Sequence, residues 1–408
     1  MAPTRREFLA AGLSGATLLA TGPVLPGFLA RTARAASSQN DERILVVVQL
    51  TGGNDGLNTV IPFEDDRYHR LRPTLRIGPQ RVLKLNDTLG LHPEMAAFQR
   101  MYDDGLLSVV TNVGYPNPNR SHFASMDIWH CAQTGLQRCE TGWLGRVVDR
   151  RASAGDAPFA LHLDYEALPL ALKTENQAVP SITNLDAFRL RGEADSLTHL
   201  LNASQEAPAV LDAAALDALR FVQRTAVASC ANARRLEQIR TEQTMRAEYP
   251  GYGLARRLQQ IAELIGADFG PRIFYTSLGG FDTHARQTLA HGPLLRELSE
   301  SVAAFFDDLR ARGRDRHVVL MTFSEFGRRV AENGSQGTDH GAAAPMFLAG
   351  PACRPGVLGS APDLANLAEG DVRFERDFRT IYAAVLRDWL MIDPKEILGQ
   401  PFEPARIF

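Results

Sequence analysis

An α/β fold, built as a three-layer sandwich around a mostly parallel central sheet, is predicted by three observations. Short apolar runs rich in β-branched residues recur along the chain, helical periodicities separate them, and glycine-rich turns close several of them. A nearly continuous apolar run marks a strand buried on both faces, and strand–helix alternation implies parallel neighbours with helices on both faces. Each element follows in chain order.

Residues 1–35 read as an export leader. Thr4-Arg5-Arg6-Glu7-Phe8-Leu9 precedes a weakly apolar stretch from Ala10 to Ala30, and Ala33-Arg34-Ala35 offers a small-residue processing site. A paired arginine with an aromatic two positions on fits a twin-arginine signal, hence the twin-arginine translocase as export partner and a periplasmic or secreted destination. The alternative is a retained membrane anchor. Gly12, Gly15, Gly22, Pro23, Pro26 and Gly27 interrupt the stretch, so no clean span of ~20 apolar residues exists and no stable membrane span is expected.

Residues 36–408 form the α/β body. Strands are expected at Arg43–Leu50, Leu106–Thr111, Arg272–Ser277, His317–Thr322 and Met346–Ala349. Helices are expected at Pro93–Tyr102, Pro293–Arg312 and Phe378–Leu390. The segment 211–266 is rich in Ala, Arg and Gln and is broken at Tyr249-Pro-Gly-Tyr-Gly253, which predicts a helical insertion of two helices lying over the sheet. Ala152 to Ser204 reads as loop-rich, with one or two strands.

Charge and cysteine bound the function classes. The chain carries 44 Lys+Arg against 47 Asp+Glu, net −3, and removing the leader takes away four arginines and one glutamate. A mildly acidic body argues against nucleic acid as a partner, which usually requires a basic face. The four cysteines make no disulfide framework. Cys131 and Cys139 can pair in an oxidising compartment or remain two thiols. No G-x-G-x-x-G opens a helix after the first strand, which disfavours a dinucleotide-dependent oxidoreductase.

In open α/β sheets, ligands bind beyond the carboxyl ends of the strands. Asp55 follows the first strand there, and Ser121 and His122 follow the second. Asp282 and His284 follow Arg272–Ser277; Ser324 and Glu325 follow His317–Thr322, with Asp339 and His340 shortly beyond. Singly, Asp55 can form a turn, Ser121 can cap a helix and Asp282-Thr-His284 can start one. Together they predict one shared site. Asp55, Asp339 and His340 would hold a divalent cation, zinc, manganese or calcium, and Asp282 and His284 a second. Ser121 is the candidate nucleophile, beside Arg120 and His122. Arg120 would clamp a phosphate or sulfate oxygen, as would Arg328 or Arg329. The substrate expected is a small anionic ester.

Gly52-Gly-Asn-Asp-Gly-Leu-Asn58, Asn119-Arg-Ser-His-Phe123, Gly279-Gly-Phe-Asp-Thr-His284, Ser324-Glu-Phe-Gly-Arg-Arg329 and Gly337-Thr-Asp-His-Gly341 occur in this order. In these motifs the chain resembles the bacterial family catalogued as domain of unknown function 1501, which is grouped with the alkaline phosphatase and sulfatase superfamily. The resemblance implies an alkaline-phosphatase-like sandwich with one or two metal ions and a Ser, Thr or formylglycine nucleophile. In it, Asp55 matches the Asp after the first strand, Ser121 the nucleophile, Asp282 the later Asp, and Asp339-His340 the Asp-His pair. Two departures stand out. Asp282-x-His284 is shorter than the Asp-x-x-x-His of two-metal members, and no His follows His340. Cys353-Arg-Pro-Gly-Val357 lacks the final Arg of a formylglycine signature and comes too late in the order, which leaves serine chemistry. The expected function is an exported metal-dependent hydrolase of phosphate or sulfate esters; the alternative is a non-catalytic binding or assembly protein on the same fold.

Overall fold

The computed structural model describes residues 42–135, 139–151, 158–183, 185 and 247–408. The leader at 1–35 lies outside the described residues, as do 152–157 and 186–246, which contain much of the loop-rich segment and the first half of the helical insertion.

Twelve strands are described: β1 (Ile44–Leu50), β2 (Val60–Ile61), β3 (Leu83–Lys84), β4 (Gly90–Leu91), β5 (Leu107–Gly114), β6 (Ala160–Leu163), β7 (Ser181–Ile182), β8 (Ile273–Leu278), β9 (Val318–Phe323), β10 (Ala344–Ala349), β11 (Gly356–Leu358) and β12 (Arg376–Asp377). The main helices are α1 (Ala96–Asp103), α2 (His122–Cys131), α3 (Trp143–Arg151), α4 (Gly253–Gly266), α5 (His291–Ala311) and α6 (Phe378–Ala384). All five expected strands and all three expected helices are present, with ends moved by a few residues. Helix α4 covers the part of the 211–266 segment that follows the break at Tyr249–Gly253, and it packs into the main core.

The central sheet has nine strands, ordered β11-β5-β10-β9-β1-β8-β6-β7, with β12 also paired to β5. Every pairing is parallel except those of β10, which runs antiparallel to both β5 and β9. The reason lies in the connection. No long helix crosses back between Phe323 and Ala344; the chain loops over the sheet's rim and returns directly, so β10 must reverse. That same loop carries Ser324 to His340.

Side chains of β1 alternate between the two layers, as strand periodicity requires. Val46, Val48 and Leu50 pack with α1, α4 and α5 through Phe98, Leu258, Ile261, Leu298 and Val302. Leu45 and Val47 pack on the other face with α2, α3 and α6 through Trp129, Trp143, Val147 and Tyr382. Helix α2 is anchored there by Trp129, whose ring stacks on Phe323 and Phe378. Its far end is tied by a disulfide between Cys131 and Cys139, which settles their pairing.

Candidate metal centre

The carboxyl ends of β1, β5, β8 and β9 all open on one rim, and the loops that follow them interlock there. Arg328 holds them. Its buried guanidinium donates to the carbonyls of Gly52, Gly53 (2.8 Å), Phe281 (3.0 Å) and Thr338 (2.7 Å), and to Asp282 Oδ1 at 2.7 Å. Two glycines make the close packing possible. Gly52, at φ +117°, would drive a Cβ to 2.4 Å from the Asp282 nitrogen, and a Cβ on Gly337 would sit 2.2 Å from the His284 carbonyl carbon. The loop before α2 is held by Tyr115, whose hydroxyl accepts from the Asn119 N–H (2.9 Å) and contacts Ser125 Oγ at 2.8 Å.

Four side chains converge on this rim. Around Asp282 Oδ1 lie His284 Nε2 at 3.0 Å, His340 Nε2 at 3.2 Å and His122 Nε2 at 3.5 Å. His122, Asp282 and His340 each offer a ligand atom within 4.8 Å of the others. The opposite nitrogen of each imidazole is occupied. His122 Nδ1 lies 2.8 Å from Oε1 of buried Glu325, His284 Nδ1 lies 3.2 Å from Asp339 Oδ1, and His340 Nδ1 lies 2.8 Å from the Arg120 carbonyl. An oxygen acceptor at Nδ1 takes that N–H, so in the neutral ring the Nε2 lone pair faces the shared space. Phe326, buried, lies against the rings of His122 and His340.

Electrostatics agree with this arrangement. Partial burial opposes ionisation of Asp282, but the hydrogen bond and positive charge of Arg328 outweigh it and hold its pKa at about 2. The Glu325 hydrogen bond raises the His122 pKa, whereas burial lowers that of His340. His284 Nε2 and His340 Nε2 stand 2.9 Å apart. Two lone pairs at that separation repel, and a proton at Nε2 of either ring turns the approach into an ordinary N–H···N hydrogen bond. His122 Nε2 is buried with no hydrogen-bond partner. Three imidazole nitrogens and one carboxylate oxygen are a donor set that fits zinc.

The remaining expected site residues sit around this cluster. Asp339 holds His284 and is itself held by Asn333 Nδ2 at 3.1 Å. Arg120 engages Asp371 through Nε, 3.0 Å from Oδ2, and through Nη2, which leaves Nη1 for another acceptor, while its carbonyl orients His340. Ser121 is exposed at the N-cap of α2, one residue before His122, and its hydroxyl makes no capping bond. Asp55 takes other partners. It is fully buried, paired with Arg72 Nη1 at 2.5 Å and hydrogen-bonded by Gln287. The structure therefore gathers His122, Asp282, His284 and His340, and gives Asp55 to Arg72. The clamp expected of Arg328 is corrected: with no exposed side-chain surface and its donors occupied, it cannot meet a substrate. Glu325, the buried partner of His122, was legible only as an acid at a strand end. His130 belongs to the core, with Gln49 and Tyr275.

A family model described as Protein of unknown function (DUF1501) matches residues 42–398, and the chain belongs to that family. No curated protein matches it. Among solved structures, the chain is similar to the PsFucS1 sulfatase from Pseudoalteromonas sp. at TM-score 0.36 and 10% identity, over 87% of this chain and 69% of that one. It is similar to the C-terminal periplasmic domain of EcEptC from Escherichia coli, in complex with Zn, at TM-score 0.36 and 9% identity, over 76% and 73%. The alkaline phosphatase from the Antarctic bacterium TAB5 is similar at TM-score 0.30 and 9% identity, over 76% and 92%.

Proposed function

We propose that this member of the family is an exported, metal-dependent hydrolase of phosphate or sulfate esters. The single observation that carries the reading is the convergence of His122, His284 and His340 Nε2 on Asp282 Oδ1, at 3.5, 3.0 and 3.2 Å, with each Nδ1 facing an oxygen. His122, Asp282, His284 and His340 would hold the ion. When bound, it would lower the pKa of a nearby hydroxyl and screen the charge of an anionic ester.

Ser121 supplies the hydroxyl. Its neighbours in the chain both touch the cluster: the Arg120 carbonyl orients His340, and His122 would be one of the ion's ligands. At the N-terminus of α2, uncommitted backbone N–H groups favour an anion. Ser121 Oγ would bond to phosphorus or sulfur as the ester oxygen leaves and takes up a proton; water would then cleave the serine ester and release the inorganic anion. Arg120, oriented by Asp371, would bind a non-bridging oxygen. Export through the twin-arginine pathway rests on the leader at 1–35, and the Cys131–Cys139 disulfide suits an oxidising compartment. Among the described residues no helix is long and apolar enough to cross a membrane.

The test is elemental analysis of protein exported in a native-like host, followed by assay against a broad panel of phosphate and sulfate esters. Absence of both bound metal and hydrolysis would overturn the reading. A second reading, an exported binding or assembly protein, is favoured by one observation: Arg328 already engages Asp282 Oδ1 at 2.7 Å. Stoichiometric metal without turnover on any ester would select it.

A further inference from the structure

A cleft of about 570 Å³ opens along the β5 edge of the sheet, where β11 and β12 pair with different parts of that strand. None of its lining residues belongs to the metal centre. Its size falls within the range of small-molecule sites, roughly 300–1,000 Å³. Val357 and Leu358, both part-buried, contribute apolar groups to the lining. Three arginines, Arg354, Arg376 and Arg406, line the same space.

Of the three acids in the lining, one is neutralised by a neighbouring cation, and two keep their charge. Asp377 accepts from its own near neighbour Arg379, with Nε at 2.8 Å and Nη2 also in contact. Glu375 accepts the Ser360 hydroxyl. Glu403 is the remaining carboxylate of the lining. Among the described residues, no carboxylate stands within ion-pair distance of Arg354, Arg376 or Arg406. Arg376 Nε is moreover buried and has no hydrogen-bond partner. Arg376 as a whole is only half-buried, and its other guanidinium nitrogens can donate to an anionic oxygen. Cationic heads beside apolar groups select a ligand with both characters.

We propose that this cleft binds an organic anion, in which a phosphate, sulfate or carboxylate group is carried on an apolar body, at a site separate from the metal centre. Arg376 and Arg406 hold the anionic group, and Val357 and Leu358 take the body.

Calorimetric titration of the full chain with naphthalene-2-sulfonate tests this, because the sulfonate carries the charge and cannot be hydrolysed as an ester. Saturable one-site binding is expected, at least about tenfold weaker in Arg376→Gln and in Arg406→Ala. Binding should be unchanged in His340→Ala, which disables the metal centre instead. The uncharged 2-naphthol should bind at least about tenfold more weakly than the sulfonate. The proposal is overturned if the native protein shows no saturable binding, if both substitutions leave affinity intact, or if 2-naphthol binds equally well. Loss of binding in His340→Ala would also overturn it, by placing the anion at the metal centre. Arg406 is exposed, so its variant keeps the test open if Arg376→Gln does not fold. The outcome is independent of whether esters are hydrolysed.

Discussion

His122 Nδ1 lies 2.8 Å from Oε1 of Glu325, a carboxylate with no exposed surface. The contact fixes which ring nitrogen carries the proton and turns Nε2 toward Asp282. A carboxylate behind a ligating imidazole typically contributes 10–100-fold to metal affinity. Glu325→Gln should therefore weaken zinc binding by about that factor in a competitive chelator titration. Unchanged affinity would remove Glu325 from the centre's supporting shell.

Asp55 and His340 should separate cleanly. His340→Ala is expected to lose bound metal while the protein stays folded. Asp55→Ala leaves Arg72 buried without its partner, which should cost about 3–5 kcal/mol in chemical denaturation. Metal content in its folded fraction should stay near the native value. A drop in metal on that substitution alone would bring Asp55 into the ligand set.

If Ser121 is the nucleophile, Ser121→Ala should reduce ester hydrolysis by roughly 10³-fold or more and leave metal content untouched. Activity that survives the substitution would pass the attack to water.

His130 predicts a pH dependence of stability. Burial lowers its pKa from 6.5 to about 3. The unfolded chain therefore binds a proton more readily than the folded one, so this contribution is present above pH 6.5 and is lost as pH falls toward 3. His130→Gln, which can still donate to Gln49, should flatten the fall in urea midpoint across that window. An identical pH profile in the variant would refute the assignment.

The strands were legible because each is apolar on both faces and ends in a glycine or polar turn, as at Leu50 and Leu278. The reversal of β10 was not, because a strand's apolar pattern carries no direction. Asp282, His284 and His340 were identifiable as residue types at strand ends. His122 appeared beside Ser121 as a catalytic imidazole, since adjacency in sequence hides that a helix start turns its ring toward Asp282. Asp55 looked equivalent to Asp282 for the same reason: both are acids after a strand. The difference is Arg72, whose side chain reaches Asp55 from 17 residues away.

The amino-acid order alone determined the layer architecture, the rim on which chemistry-bearing residues collect, and the family, because periodicity and turn chemistry are local properties. Which of those residues share a ligand space was decided only in three dimensions. Arg328 and Arg72 draw four loops together from distant parts of the chain, and each guanidinium neutralises one aspartate, Asp282 or Asp55. Only Asp282 is left among the imidazoles. Long-range pairing of buried charge depends on the packed loops, and no spacing along the chain encodes it.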